Sequence, residues 1–542
     1  MCGISGFVGR GGDGDLRRMT EALEHRGPDA QNLWSDPESG VWLGHCRLAI
    51  VDLESGDQPM WTSDEALGVV FSGEIYNHGE LRAELESRGH VFRSDHSDTE
   101  VLLHGYREWG ADLVQRLNGM WAFAILDKAR RRLFLSRDRF GQKPLYYSHQ
   151  NGTFAFASEL RALTRHRRIE GRRSDAALRK YFAYGYIPAP LSLFDRIYKL
   201  PGGHNLTVEL GAPTPRVSRY WEFELEPFER IPERAEQEWG ERLLELLARA
   251  VERRLFCDVP MGVFLSGGID SSVVAALAAR RLGRVPLHTF SIGFEEASFD
   301  ESRWAEQVAR NIGSRHRCVT FSIERARDVL PEVMAKLDEP LGDSSLLPTY
   351  LLCGETRKEV TVALGGDGGD ELFAGYDPFH ALRYADAYER LVPRPVHRAI
   401  RLLAARLPTS HRNISFDFKL KRTLTGLSYA KRLWNPVWMG PLEPAELDAL
   451  FGEPTDIETL LALVLTQHPE DQGGEHGHDL LHVAGVDAAR TRKGVAHRGF
   501  AATEDVLEDA HAGIGGARTL AEESTDVIED GSIMVLLQCA EE

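Results

Sequence analysis

The sequence predicts a chain of at least two domains in the mixed α/β (α+β) class, and three features point there. At 542 residues the chain is too long for one hydrophobic core. Between residues 40 and 160, short β-type runs (Val69–Phe71, Trp121–Leu126, Leu133–Leu135, Phe154–Phe156) alternate with helical stretches near 79–88 and 98–109. Further on, the apolar run 259–265 stops at Ser266-Gly267-Gly268, and residues from Val273 onward resume at helical spacing. That order is strand, tight loop, helix. Buried runs at 287–294 and 360–364 continue the alternation, as a doubly wound parallel sheet requires.

Composition narrows the class. Apolar residues make up 42% and charged residues 27%, the mix of an ordinary globular protein. A net charge of -18 argues against a nucleic-acid-binding surface. No apolar run approaches the roughly 20 residues of a membrane helix, and the first residues carry no basic-then-apolar secretory pattern. Six cysteines (2, 46, 257, 318, 353, 539) lack paired spacing, so neither a disulfide framework nor a zinc site is expected. The expectation is a cytoplasmic enzyme without nucleic-acid or membrane partners.

At the amino end, Cys2 becomes the first residue once Met1 is removed. It then carries a thiol and a free α-amine, whose pKa of about 8 suits a general base for its own thiol. A lone cysteine is more often a small buried apolar residue; its neighbours change the weighting. Cys2-Gly3-Ile4-Ser5-Gly6 is followed by His25-Arg26-Gly27-Pro28-Asp29 and Arg47-Leu48-Ala49-Ile50-Val51-Asp52. Ser72-Gly73-Glu74-Ile75-Tyr76-Asn77 and Ser97-Asp98-Thr99-Glu100 come next. With these motifs, residues 1–205 resemble the glutaminase domain of the class II, N-terminal-nucleophile glutamine amidotransferases. The resemblance implies a four-layer αββα fold with Cys2 as nucleophile, Arg47 on the glutamine carboxylate, and Glu74 and Asp98 on its ammonium. The family's oxyanion donors are commonly Asn-Gly; here Ser72-Gly73 stands, leaving the Gly73 N–H and a serine hydroxyl as partial substitute. Loss of one such donor costs roughly 100- to 1000-fold in rate. The motifs at 137–147 and 157–160 are assigned scaffold roles. Pro201-Gly202-Gly203-His204 and the Pro-containing run 211–219 read as a linker, set at 206–232.

The loop Ser266-Gly267-Gly268-Ile269-Asp270-Ser271-Ser272 offers two flexible glycines, three hydroxyls and a helix N-terminus, a cradle for phosphate. No Gly-Lys-Ser/Thr follows, so it is not a P-loop. It resembles the pyrophosphate loop of ATP-pyrophosphatases, which activate an acid as its AMP ester. A second glycine-acid loop, Gly365-Gly366-Asp367-Gly368-Gly369-Asp370, follows the run at 360–364. Together the motifs to about residue 452 resemble glutamine-dependent asparagine synthetases, with the synthetase domain at 233–452. The resemblance implies Leu265 and Ile292 beside the adenine and Gly365 (a serine in the family) and Gly366 near the nucleotide. Asp270 and Asp370 would hold Mg²⁺ on the ATP phosphates, because Mg²⁺ favours one or two carboxylates plus phosphate oxygens. Asp367 would be a proton-transfer group. Asp338-Glu339-Pro340 and Ser344-Ser345 would line the acid pocket.

Beyond 452 the resemblance stops. The Lys-Val-Asp-Arg motif that in the family contacts ATP is missing, and 453–542 is read as an atypical, disordered or foreign tail. His476, His478 and His482 have metal-like spacing, but a solvated polar segment is the better reading. The resemblance implies glutamine and aspartate, or another small carboxylate, as substrates, ATP and Mg²⁺ as cofactors, and a homodimer as the assembly to test. A glutaminase with a disabled synthetase half is the alternative, and a non-catalytic protein that keeps the fold is a second.

Overall fold

A computed structural model describes residues 1–224, 234–410, 412–413, 415–456 and 460. The strand Gly119–Asp127 shows how the first half is built. Its alternate residues Ala122, Ala124 and Leu126 face one apolar cluster with Ile4, Val8, Val70 and Phe156. Trp121, Phe123 and Ile125 face another, with Phe71, Val101, Leu102 and Leu113. A strand apolar on both faces has to be covered on both sides. Here one side meets a second sheet and the other meets the helices His78–Ser87 and Asp98–Trp109.

Two six-stranded antiparallel sheets result. One runs in the spatial order Ile197–Lys199, Tyr146–Gln150, Thr153–Ala157, Gly3–Gly9, Val41–Arg47, Ala30–Asp36. The other runs Ala212–Arg219, His204–Glu209, Arg132–Arg137, Gly119–Asp127, Leu67–Ile75, Met60–Trp61. A third cluster (Phe7, Leu16, Met19, Leu163) joins the outer face of the first sheet to helices Asp13–Glu21 and Leu160–Thr164. The layers are therefore helix, sheet, sheet, helix.

The linker expectation is corrected in its first part. His204–Glu209 and Ala212–Arg219 are paired strands of the second sheet, with Leu206 and Val208 fully buried. Pro213 and Pro215, which suggested a linker, lie on the outermost strand, where a missing backbone donor leaves no ladder bond broken.

The second half opens with helix Ala235–Arg254 and holds one parallel sheet, in the order Arg315–Phe321, His288–Phe294, Met261–Phe264, Val362–Leu364. The chain moves outward from Met261–Phe264 through two strands, then returns to that strand's other side. The reversal opens a crevice at the carboxyl ends of Met261–Phe264 and Val362–Leu364, the usual ligand position in such sheets. No helix among the described residues is long and apolar enough to cross a membrane. Residues 461–542, including His476, His478 and His482, lie outside the described residues.

Candidate active sites

The first site gathers around Cys2, one residue ahead of the strand Gly3–Gly9. The Leu48 N–H lies 3.4 Å from the Cys2 Sγ, which faces the Leu48 carbonyl oxygen at 3.6 Å. The Cys2 carbonyl accepts from Ser72 Oγ at 2.7 Å and from Arg26 Nε at 3.2 Å. Arg26 in turn pairs with Glu159 at 3.1 Å. Burial pushes the Cys2 thiol up, and the carboxylates of Glu74 and Asp98 add to the rise, against the N-terminal ammonium and the Leu48 N–H. A thiol held neutral needs a base before it can attack.

A small cleft opens beside Cys2, lined by Arg47, Leu48, Ile50, Val51, Gly56, Gln58, Phe71, Gly73, Glu74, Asp98 and Thr99. The Arg47 guanidinium is 7% exposed and fixed by the Asp52 carbonyl (2.6 Å), the Leu53 carbonyl (3.1 Å) and Asp57 (3.0 Å). Burial lifts Glu74 well above the carboxylate range, and the neighbouring Asp98 lifts it further. Asp98 is raised by burial too, although the Ile75 N–H at 2.9 Å favours its charge. Two desolvated carboxylates side by side favour a proton or a cation between them. The cleft thus offers a guanidinium, a carboxylate pair and a thiol in one place, the complement of an α-amino acid with a reactive side chain.

Four of the motif residues, Cys2, Arg47, Glu74 and Asp98, meet here, and Gly73 lines the same cleft. A Cβ at Gly73 would lie 2.1 Å from the Met120 carbonyl, so only glycine fits. Ser72 differs from expectation. Ser72 is 1% exposed and its hydroxyl is spent on the Cys2 carbonyl, so it fixes the backbone of Cys2 instead of facing the cleft. Sequence reading gave no role to Gln58 or Thr99; Gln58 donates to the Thr99 hydroxyl at 3.2 Å, and that hydroxyl lies 3.5 Å from the Asp98 carboxylate. It also assigned Lys143 to the scaffold. Lys143 is 3% exposed, burial lowers its pKa to about 8, and it interacts with both Glu74 and Cys2. Nothing near it in sequence signals that position.

The second site lies in the sheet crevice. Gly267 has φ +85°, and a Cβ there would meet the Trp304 and Ala305 backbone region at 2.6 Å. The Ser266 and Ser271 hydroxyls lie 2.9 Å apart, and Ser266 Oγ accepts from the Gly268 N–H at 3.2 Å, closing the loop on helix Ile269–Leu282. Ser272 Oγ is buried without a hydrogen-bond partner. Gly366 brings the other loop against the first: a Cβ there would lie 2.7 Å from the Ser271 N. Gly369 packs on the Asp270 carboxylate in the same manner. Burial raises Asp270, and Asp370 and Glu371 raise it further; burial and then Glu371 raise Asp370. Burial likewise raises Asp367, whose carboxylate sits over Gly365. Asp270, Asp370 and Glu371 thus repel one another, and a divalent ion shared with phosphate oxygens would offset that charge. Leu265 departs from expectation: its side chain is 1% exposed within the core cluster, so only its main chain can face a nucleotide. Ile292 is partly exposed on the neighbouring strand.

Asp338 and Glu339 are placed elsewhere than expected. The Asp338 carboxylate accepts from the N–H groups of Leu160 and Arg161 at the start of a first-domain helix. Glu339 pairs with Lys199 at 2.5 Å and accepts from the Leu193 N–H at 2.9 Å and from the Tyr146 hydroxyl at 3.2 Å. Both carboxylates are thus engaged by the first domain, and burial still raises Asp338 to about 6. Ser345 lies at the head of helix Leu346–Arg357, and its N–H donates to Asp343.

Residues 1–221 match the glutamine amidotransferase domain family, and residues 242–471 match the asparagine synthase family. A putative glutamine-hydrolyzing asparagine synthetase 2 of Methanocaldococcus jannaschii is 36% identical over 430 residues, covering 75% of this chain and 81% of that protein. The glutamine-hydrolyzing asparagine synthetase 3 of Bacillus subtilis is 37% identical, covering 70% of this chain and 64% of its own length. A putative enzyme of the same name from Mycobacterium tuberculosis is 35% identical, covering 78% and 68%. The chain belongs to the glutamine-hydrolysing asparagine synthetase family. It spans just under two thirds of the Bacillus relative.

Proposed function

We propose that the chain makes asparagine from aspartate, with glutamine as nitrogen donor and ATP as the activating substrate. The observation that carries this reading is the convergence of Cys2, Arg47, Glu74 and Asp98 on one cleft, in a chain whose second domain brings two glycine-acid loops together. Arg47 takes the glutamine carboxylate, and the Glu74–Asp98 pair takes its ammonium. With Met1 removed, the Cys2 amine accepts the thiol proton as Sγ attacks the side-chain amide carbon. That proton then leaves with ammonia, and water releases glutamate from the thioester. The Gly73 N–H faces the developing oxyanion.

In the second site, an aspartate carboxylate oxygen attacks the α-phosphorus of ATP and pyrophosphate departs. The Ser266–Ser272 loop and its helix N-terminus hold the phosphates. Asp270 and Asp370 would hold Mg²⁺, whose charge offsets that building on the leaving pyrophosphate. Ammonia attacks the acyl carbon, AMP leaves, and Asp367 takes the surplus proton. The protein then functions as a cytoplasmic homodimer. A second reading, glutaminase alone, is favoured by the missing Lys-Val-Asp-Arg motif.

The test is AMP and pyrophosphate release from ATP and Mg²⁺ with aspartate, supplied first with ammonia and then with glutamine. Aspartate-dependent AMP with both nitrogen sources is the expected result. Glutamate release without AMP would replace this reading by the second.

A further inference from the structure

The segment 253–258 belongs to the second domain, yet it touches each rim of the Cys2 cleft. The Asp258 N–H donates to the Ile50 carbonyl at 3.0 Å, and one oxygen of its carboxylate accepts from the Asp52 N–H at 2.8 Å. That same oxygen lies 2.7 Å from His96 Nε2, and His96 Nδ1 lies 2.9 Å from Asp95. Ile50 lines the cleft, and the Asp52 carbonyl is the 2.6 Å acceptor of Arg47. Asp52 is held at φ +50°, a conformation that persists only where its surroundings enforce it. His96 lies two residues before Asp98. Hydrogen bonds to Asp258 and then to Asp95 raise its pKa above that of a free imidazole. Phe256 packs near His78 and His96, and the Arg254 guanidinium stacks 4.4 Å from the Tyr76 ring, two residues past Glu74. Two residues after Asp258, the Pro260 carbonyl accepts from Thr361, and the strand Met261–Phe264 then runs into Ser266. The loop carrying the Arg47 acceptors and the turn leading into the helix that starts at Asp98 are thus pinned by one carboxylate, which stands at the root of the strand Met261–Phe264.

We infer that Asp258, acting through His96 and the Asp52 backbone, is a positioning residue for glutamine, so that the glutaminase cleft takes its binding geometry only with the second domain docked. This rests on the glutaminase reading above. The cleft walls themselves remain in Asp258 variants, so the loss appears in glutamine affinity and not in the chemical step.

The test compares glutamate release and ammonia-dependent AMP release in the full chain for wild type, Asp258→Ala, Asp258→Asn and His96→Gln. Asp258→Ala is expected to raise the KM for glutamine on the order of 10-fold, the worth of one charge-assisted hydrogen bond. Its kcat for hydrolysis and its ammonia-dependent rate should stay near wild type. Asp258→Asn keeps an acceptor for the Asp52 N–H and should recover most of that KM. His96→Gln, a partly exposed position that tolerates change, should raise KM about 3-fold, and it serves if Asp258→Ala does not fold. An unchanged KM in Asp258→Ala or, failing that, in His96→Gln overturns the inference and leaves the glutaminase reading standing. Equal losses of glutamine- and ammonia-dependent rates also overturn it, because they signal general damage. Wild type that releases no glutamate sinks the glutaminase reading, and this inference with it, before any variant is compared.

Discussion

The two halves of the molecule solve the problem of placing reactive groups in different ways. In the first, the groups hang from the ends of packed elements: Arg47 ends one strand, Glu74 lies on another, and Asp98 opens a helix. The elements that carry Glu74 and Asp98 pack around Trp121 and Phe123, both fully buried. In the second, the sheet has four strands among the described residues, and the site is made of glycine-rich main chain at their ends. Among the described residues, large exposed apolar side chains are sparse up to residue 224 (Leu53, Val91, Tyr186, Tyr198) and frequent after it. One site is thus an extension of a core, while the other depends on two loops touching. Damage to packing should therefore spoil the first, and an added methyl group between loops should spoil the second.

Expected effects run from the nucleophile downward. Cys2→Ala should lower glutamine hydrolysis on the order of 10⁶-fold, as loss of a covalent nucleophile does, while ammonia-dependent AMP release stays intact; paired assays of glutamate and AMP measure both. Next comes the first-domain core. Phe123→Ala should cost about 3–5 kcal/mol, read as a lower urea midpoint with an unchanged slope. A cost below about 1 kcal/mol would mean that the sandwich is not what holds the first site.

The third effect concerns acid. Burial alone would raise Glu100, but hydrogen bonds from His104, Ser94 and the backbone of Arg93 and Ser94 outweigh it and bring the carboxyl down to about 2. A depressed carboxyl gives stability that is complete above its unfolded value near 4.5 and is lost as pH falls toward 2. Full loss would amount to about 3 kcal/mol. Glu100→Gln should flatten the decline in Tm between pH 5 and 3, and a curve parallel to wild type would remove Glu100 from that role. Smallest is Gly366→Ala. Its Cβ would press on the Ser271 and Asp270 backbone at 2.7–3.0 Å and should cut AMP release about 100-fold by misplacing the loops. Cys2-dependent glutamate release should be untouched; a parallel fall in both activities would show the halves to be less separate than their construction implies.

Much of this was readable along the chain. The runs at Val69–Phe71, Trp121–Leu126, Leu133–Leu135 and Phe154–Phe156 all lie within strands, and the two helical stretches match His78–Ser87 and Asp98–Trp109. Ser266-Gly267-Gly268 does turn from strand into helix. These features are local: a period of two or 3.6 and a glycine that permits φ +85° need no distant partner. Proline misled at 211–219, because an edge strand and a linker share the same freedom from ladder bonds.

What only the tertiary structure decided is which charges face one another. Ser72 bonds to a carbonyl 70 positions away, Asp338 and Glu339 spend their charge on a domain more than 130 residues earlier, and Asp258 reaches back 162 residues to His96. A carboxylate next to a proline or an apolar run looks the same on paper whether it meets substrate, solvent or another domain. The partner that sets its energy is brought near by folding alone. The sequence by itself determined the two folds, the start of the chain around Cys2 and the strand–loop–helix turn at Ser266-Gly267-Gly268. The walls of the Cys2 cleft, the buried lysine beside it, and the strap that joins it to the second domain came from packing at long range.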